Sequence, residues 1–105
     1  MVRMTDEPQV TVADNPDRSR FEVSVDGTLA GFAAYETDAG AVVFVHTEVF
    51  DEYAGQGLAG RLAKVALGTV REAGGTVVPL CPFIRSYVQK HSPEYDDLLR
   101  DAPKA

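Results

Sequence analysis

The run Val49-Phe50-Asp51-Glu52-Tyr53-Ala54-Gly55-Gln56-Gly57-Leu58-Ala59 leaves an apolar stretch, crosses a glycine-rich turn and enters a helical pattern. Small residues there let a ligand approach the main chain, and the N–H groups of a first helical turn point outward together. With the helix dipole behind them, they attract an anion such as a pyrophosphate. Gly-x-Gly before a helix also serves as a plain tight turn, so the segment alone leaves both readings open. It is not read as a dinucleotide fingerprint, which needs a preceding parallel strand and an acidic residue about twenty positions on. Nor does it carry the Lys-Ser/Thr ending of a nucleotide-triphosphate loop.

Other residues with chemical reach stand on either side. His46 and Glu48 are two apart on an otherwise apolar run, so they are expected to share one strand face with Val42 and Phe44. Cys81 precedes Pro82, where a helix start would favour its thiolate through the dipole and amide donors. A small buried hydrophobe is the other fate of a lone cysteine. Tyr87 follows on the same stretch, with Phe83 and Ile84 as packing neighbours, and Arg85 lies one turn past Cys81. Arg61 and Lys64 are expected on a solvated helix face, within reach of a phosphate.

The elements that must position these groups follow from pattern. Val10 and Val12 alternate with polar neighbours as a short strand, ended by Asp14-Asn15-Pro16-Asp17. Phe21, Val23 and Val25 alternate with Arg20, Glu22 and Ser24, a half-buried strand. Asp26-Gly27 signals a hairpin, with Leu29 to Glu36 as the return strand. After Asp38-Ala39-Gly40, Ala41 to Val49 forms a more apolar strand. From Leu58 the spacing of Leu58, Leu62, Val65, Ala66 and Val70 predicts a helix, closed by Gly74-Gly75. Thr76 to Leu80 reads as a strand buried on both faces and reached by a crossover, hence parallel. Pro82 opens a second helix with Cys81 as its N-cap and Phe83, Ile84, Tyr87 and Val88 on its buried face. Ser92-Pro93-Glu94 predicts one more short helix, Tyr95 to Arg100. The expected fold is α+β: an antiparallel meander, then helix, parallel strand and helix.

Composition bounds the function. The chain has 105 residues, 45% of them apolar, enough for one modest core, taken as residues 8–100 after a flexible segment at 1–7. A net charge of −6 argues against nucleic acid or anionic lipid as partner and is compatible with a cationic amine or with simple solubility. Met1 to Glu7 is too polar for a secretory signal, and no apolar run approaches about 20 residues. One cysteine and two distant histidines form no disulfide or zinc pattern, and the expected compartment is the reducing cytoplasm.

Taken together, the motifs resemble the GNAT N-acetyltransferase superfamily over about residues 20–95. The coenzyme A loop of that superfamily reads Q/R-x-x-G-x-G/A, which Gly57, Leu58 and Ala59 match, with Ala54 standing at the first position. The likeness is nearest to a small, truncated branch. Its signature is matched by His46-Thr47-Glu48-Val49, Leu80-Cys81-Pro82-Phe83, Tyr87, and His91-Ser92-Pro93-Glu94-Tyr95, with one residue inserted before the proline. The resemblance implies acetyl-CoA as co-substrate, held at Val49, Gly55, Gln56, Gly57, Leu58, Ala59 and Gly60. It implies direct attack of an amine on the thioester, with Glu48 or His46 as base; burial beside the thioester would raise a carboxylate pKa toward that task. The pair could instead fix the loop. Tyr87 could reprotonate the thiolate, and Cys81 could accept the acetyl group. The acceptor would be a small-molecule or lysine amine, and the protein a monomer or weak homodimer. A non-catalytic acyl-CoA-binding module is the second reading, and an adaptor whose loop merely turns is the third.

Overall fold

A computed structural model describes residues 8–100. The segment 1–7, expected to be flexible, lies outside the described residues. Five strands, β1 (Val10–Asn15), β2 (Arg20–Val25), β3 (Thr28–Asp38), β4 (Ala41–Val49) and β5 (Thr76–Pro79), form one sheet in sequence order. Helices α1 (Leu58–Glu72) and α2 (Pro82–Lys90) complete the α+β fold expected from the pattern. The first four strands are antiparallel, and β5 joins β4 in parallel after the α1 crossover.

Local chemistry sets the turns. Asp26 and Gly27 both have positive φ, as do Ala39 and Gly40, the twist that two-residue hairpins need. Helix α1 closes as a Schellman motif: Gly74 at φ +76° donates to Arg71 O, and Gly75 donates to Val70 O. Pro82 occupies the first turn of α2, and Cys81 is its N-cap, as anticipated.

One face of the sheet carries the main core. Phe21, Val23, Ala33, Phe44 and Val77 meet Leu58, Leu62, Ala66, Leu67 and Val70 of α1, with Ile84 and Val88 of α2 and Leu98 closing one side. Fully burying each such leucine or phenylalanine contributes roughly 1.5–3 kcal/mol. Strand β5 is buried on both faces: Val77 joins this core, while Val78 packs with Ala41 and Val43 on the other. Among the described residues no helix is long and apolar enough to cross a membrane.

Several expectations need correction. On α1 the buried stripe includes Ala63 and Leu67, and Val65 is 39% exposed. On α2 only Ile84 and Val88 are buried; Phe83 is exposed and Tyr87 half-buried. The last helix shrinks to a 3-10 turn at Asp96–Leu98. Beyond it Leu99 bridges Val77 in parallel and Arg100 N–H donates to Val77 O, so the chain extends along β5 where a further helical turn was expected.

Candidate functional site

Strand β4 is where the sheet comes apart. It pairs with β5 only from Ala41↔Thr76 to Phe44↔Pro79. Cys81 N–H then donates to Phe44 O, the chain turns into α2, and β4 runs on to Val49 with β3 as its only strand partner among the described residues. Because Phe50 N–H donates to Ala30 O, alternation leaves the N–H and C=O of Thr47 and Val49 facing the gap. Among the described residues, three of the five large apolar side chains left exposed, Val45, Leu80 and Phe83, belong to the segments bordering it.

A register shift in β4 decides which side chains face where. Ala34 pairs with His46 but Tyr35 pairs with Phe44, so Val45 is an extra residue, a bulge. The inserted residue flips the pleat. Phe44 faces the α1 core, and so does Thr47, opposite Ala33. His46 and Glu48 face the other side, opposite Ala34 and Phe32. They therefore share a face with each other, His46 Nε2 to Glu48 Oε1 at 3.2 Å, but not with Val42 and Phe44 as the spacing suggested. Both side chains are about half exposed, 59% and 49%.

The surrounding sheet face is organised. Phe32 lies between the Arg20 guanidinium, 4.7 Å from its ring centre, and the rings of His46 and Phe50. Arg20 Nε donates to Glu22 Oε2 at 2.7 Å, and that hydrogen bond holds the Glu22 carboxyl below its usual range. Asn15 Nδ2 donates to the same oxygen.

Below the gap, the loop into α1 carries the glycines. Gly55 has φ +83° and Gly57, the N-cap of α1, has φ +74°. A Cβ at either would meet nothing within 4 Å, so backbone angle, not space, demands glycine. Gly57 has no side chain to cap the helix, and Leu58 anchors its start in the core. Among the described residues the N–H groups of Gly55, Gln56, Gly57, Leu58, Ala59 and Gly60 find no acceptor; the first amide of α1 that does is Arg61, bonded to Gly57 O. Consecutive unpaired amides at a helix start form a positive pole made of main chain.

Cys81 and Tyr87 lie on the α2 side. The Cys81 side chain does not cap α2; it is 3% exposed, in the core cluster, with Sγ 3.3 Å from Thr47 Oγ1. Tyr87 comes within reach of the α1 start, since a Cβ on Gly60 would sit 4.0 Å from its Cε2. It stacks on His91 at 4.1 Å and lies 6.0 Å from Tyr95. Burial pushes the Tyr95 phenol up to about 12. Arg61 and Lys64 line a groove of about 450 Å³ with Val10, Val12 and Val65, between β1 and α1. Arg85 points its Nε to Pro79 O, not to the thiol.

The fold thus gathers the loop amides, Val49, Tyr87 and Cys81 along one gap, and sets His46 and Glu48 on the far face of the same strand. Thr47 stands in the His46-Thr47-Glu48-Val49 motif, but the motif assigns it no role of its own; the bulge turns it toward Cys81.

Residues 20–98 match the family model described as GCN5-related N-acetyl-transferase. No protein of curated function matches. Among solved structures the chain is similar to a GCN5-like N-acetyltransferase candidate from Staphylococcus aureus, determined by NMR in solution. The identity is 22%, the TM-score 0.66, and the match covers 89% of this chain and 90% of that one. It is also similar to the ribosomal-protein-alanine N-acetyltransferase of Brucella melitensis biovar Abortus 2308, at 22% identity and a TM-score of 0.52. That match covers 82% of this chain and spans 64% of the Brucella protein. At such identities the likeness speaks for the fold.

Proposed function

Because the chain belongs to the GCN5-related N-acetyltransferase family, we propose that it holds acetyl-CoA along the β4 gap and transfers the acetyl group to an amine. The observation that carries this reading is the row of amides from Gly55 to Gly60, without an acceptor among the described residues, next to the edge of Thr47 and Val49, which has no strand partner among them. An anion satisfies the amides, and an amide-bearing arm can add to the strand edge as a further strand would. The apolar rim of Val45, Leu80 and Phe83 suits an uncharged arm. Coenzyme A combines a pyrophosphate with such an arm, so the residues present fit it. Its thioester supplies an activated acetyl group.

The remaining chemistry falls to side chains. The acceptor ammonium must lose one proton before its lone pair attacks the carbonyl and a second once the C–N bond has formed. The C–S bond breaks, the sulfur leaves as a thiolate that takes up one proton, and the other passes to solvent. Glu48, held by His46 on the open sheet face, takes the first proton in this reading. Tyr87, beside the start of α1, returns one to the sulfur. Cys81 serves the site as a wall, tied to Thr47 and buried, which favours direct transfer over an acyl-cysteine route. The acceptor is a small-molecule or lysine amine reaching the face of His46 and Glu48, and the reducing cytoplasm suits a chain with one cysteine.

Transfer of labelled acetyl from acetyl-CoA to a panel of amines tests this. Glu48→Gln is expected to lower kcat about 100-fold or more while leaving acetyl-CoA affinity intact. Binding without transfer to any amine would instead leave a non-catalytic acyl-CoA module.

A further inference from the structure

We propose that two copies of the chain associate through their β1 edges, making one continuous sheet across a two-fold axis at Val12. Strand β1 ends the sheet, so among the described residues one side of it has no strand partner. Asp26 N–H donates to Gln9 O, which directs the peptide groups of Gln9, Thr11 and Ala13 toward β2. Those of Val10, Val12 and Asp14 therefore face outward, a ready template for another strand. Pro8 and Pro16, lacking N–H groups, bound this template at its two ends.

The side chains select the occupant. Val10 and Val12 point to the α1 side, where with Val65, Arg61 and Lys64 they line the groove of about 450 Å³. Arg61 and Lys64 are exposed, and among the described residues neither has an ion-pair partner. An antiparallel partner strand centred on Val12 brings Val12 against Val12 and Asp14 against Val10. Asp14 shares the α1 face, because Tyr35 Oη donates to its Oδ1 from the core side. The second copy thus offers a valine to the apolar floor and a carboxylate to the two cations, and receives the same in return. This self-complementarity is what a two-fold interface requires. For a chain of net charge −6, the paired cations and carboxylates offset the repulsion between copies where it matters most.

Sedimentation velocity of the full chain from about 10 μM to about 1 mM tests this, a range suited to a small, transient interface. The mass is expected to rise from the monomer value of 11.3 kDa toward twice that. Val12→Pro removes an N–H that faces away from β2, so it should abolish association and keep the β1–β2 ladder. Arg61→Glu combined with Lys64→Glu, both at exposed positions, should weaken association at least tenfold with the circular dichroism spectrum unchanged. A monomer at every concentration overturns the proposal. So does a dimer that survives the charge reversal undiminished, whether or not the proline variant folds.

Discussion

Replacing Gly31 by alanine should break the sheet at the end that bears the gap. Gly31 pairs with Val49, and a Cβ built on it would lie 2.5 Å from Glu48 O and 3.0 Å from Val49 Cα. Ordinary contact begins at 3.4 Å, and both obstacles are main chain, which cannot swing aside as a side-chain tip does. Strand β4 must therefore shift by about 0.9 Å at the carbonyl, and such overpacking costs about 1–3 kcal/mol. The lower chain entropy of alanine in the unfolded state returns about 0.4–1 kcal/mol. The net loss of about 1–2 kcal/mol predicts a fall in Tm of roughly 5–15 °C for a domain of this size. Gly68→Ala is the matched control. Nothing lies within 4 Å of its Cβ, and it sits inside α1, so the same change should raise stability by about 1 kcal/mol. Thermal melts of the two variants beside the parent decide the matter. If Gly31→Ala melts with the parent, or both variants shift the same way, the β3–β4 contact does not constrain the strand as argued.

Other outcomes follow from burial and charge. Leu62→Ala, at a fully buried position, should cost about 2–5 kcal/mol in urea unfolding, whereas Val65→Ala at its exposed neighbour should stay within about 0.5 kcal/mol. In an absorbance titration of the four tyrosines, two should ionise late: burial pushes Tyr35 and Tyr95 up to about 12, Tyr35 with further help from its bond to Asp14. Since their folded pKa is raised, the stability they contribute is complete below about pH 10 and lost as pH climbs through about 12. Tyr35→Phe should remove one of the two late steps. Glu22 is the opposite case: its pKa is lowered, first by the hydrogen bond from Arg20, so its contribution is present above the ordinary 4.5 and lost as pH falls through the folded value. The Tm difference between parent and Glu22→Gln should accordingly shrink on acidification below that point; a constant difference would contradict the assignment.

Much of the fold was legible because local chemistry and tertiary demand agree. The strict alternation of Arg20 to Val25, the Asp26-Gly27 and Asp38-Ala39-Gly40 turns, and Pro82 after Cys81 all act within a few residues of where they are read. The Val45 bulge has no such signature. It is settled by how β4 registers with β3, and it moved His46 and Glu48 to the face opposite the one that period-two spacing assigned. Val65 and Leu67 are both apolar on α1, and only the position of the sheet beneath decides which is buried. At the far end, Leu99 extends along β5 because Val77 offers it main-chain partners, a long-range contact that local helix signals cannot report. The glycine loop, by contrast, was readable as a helix start, and the structure adds that its amides have no acceptor among the described residues.

Calorimetric titration of the purified protein with acetyl-CoA, alongside ATP and the Gly57→Val variant, tests the central claim most directly. Valine at φ +74° strains the loop that presents the amides, while its Cβ meets no neighbour, so the fold should persist without the site. The account predicts saturable binding of acetyl-CoA well above ATP, and its loss in the variant. No binding at millimolar acetyl-CoA, or unchanged affinity in a folded Gly57→Val protein, would contradict it.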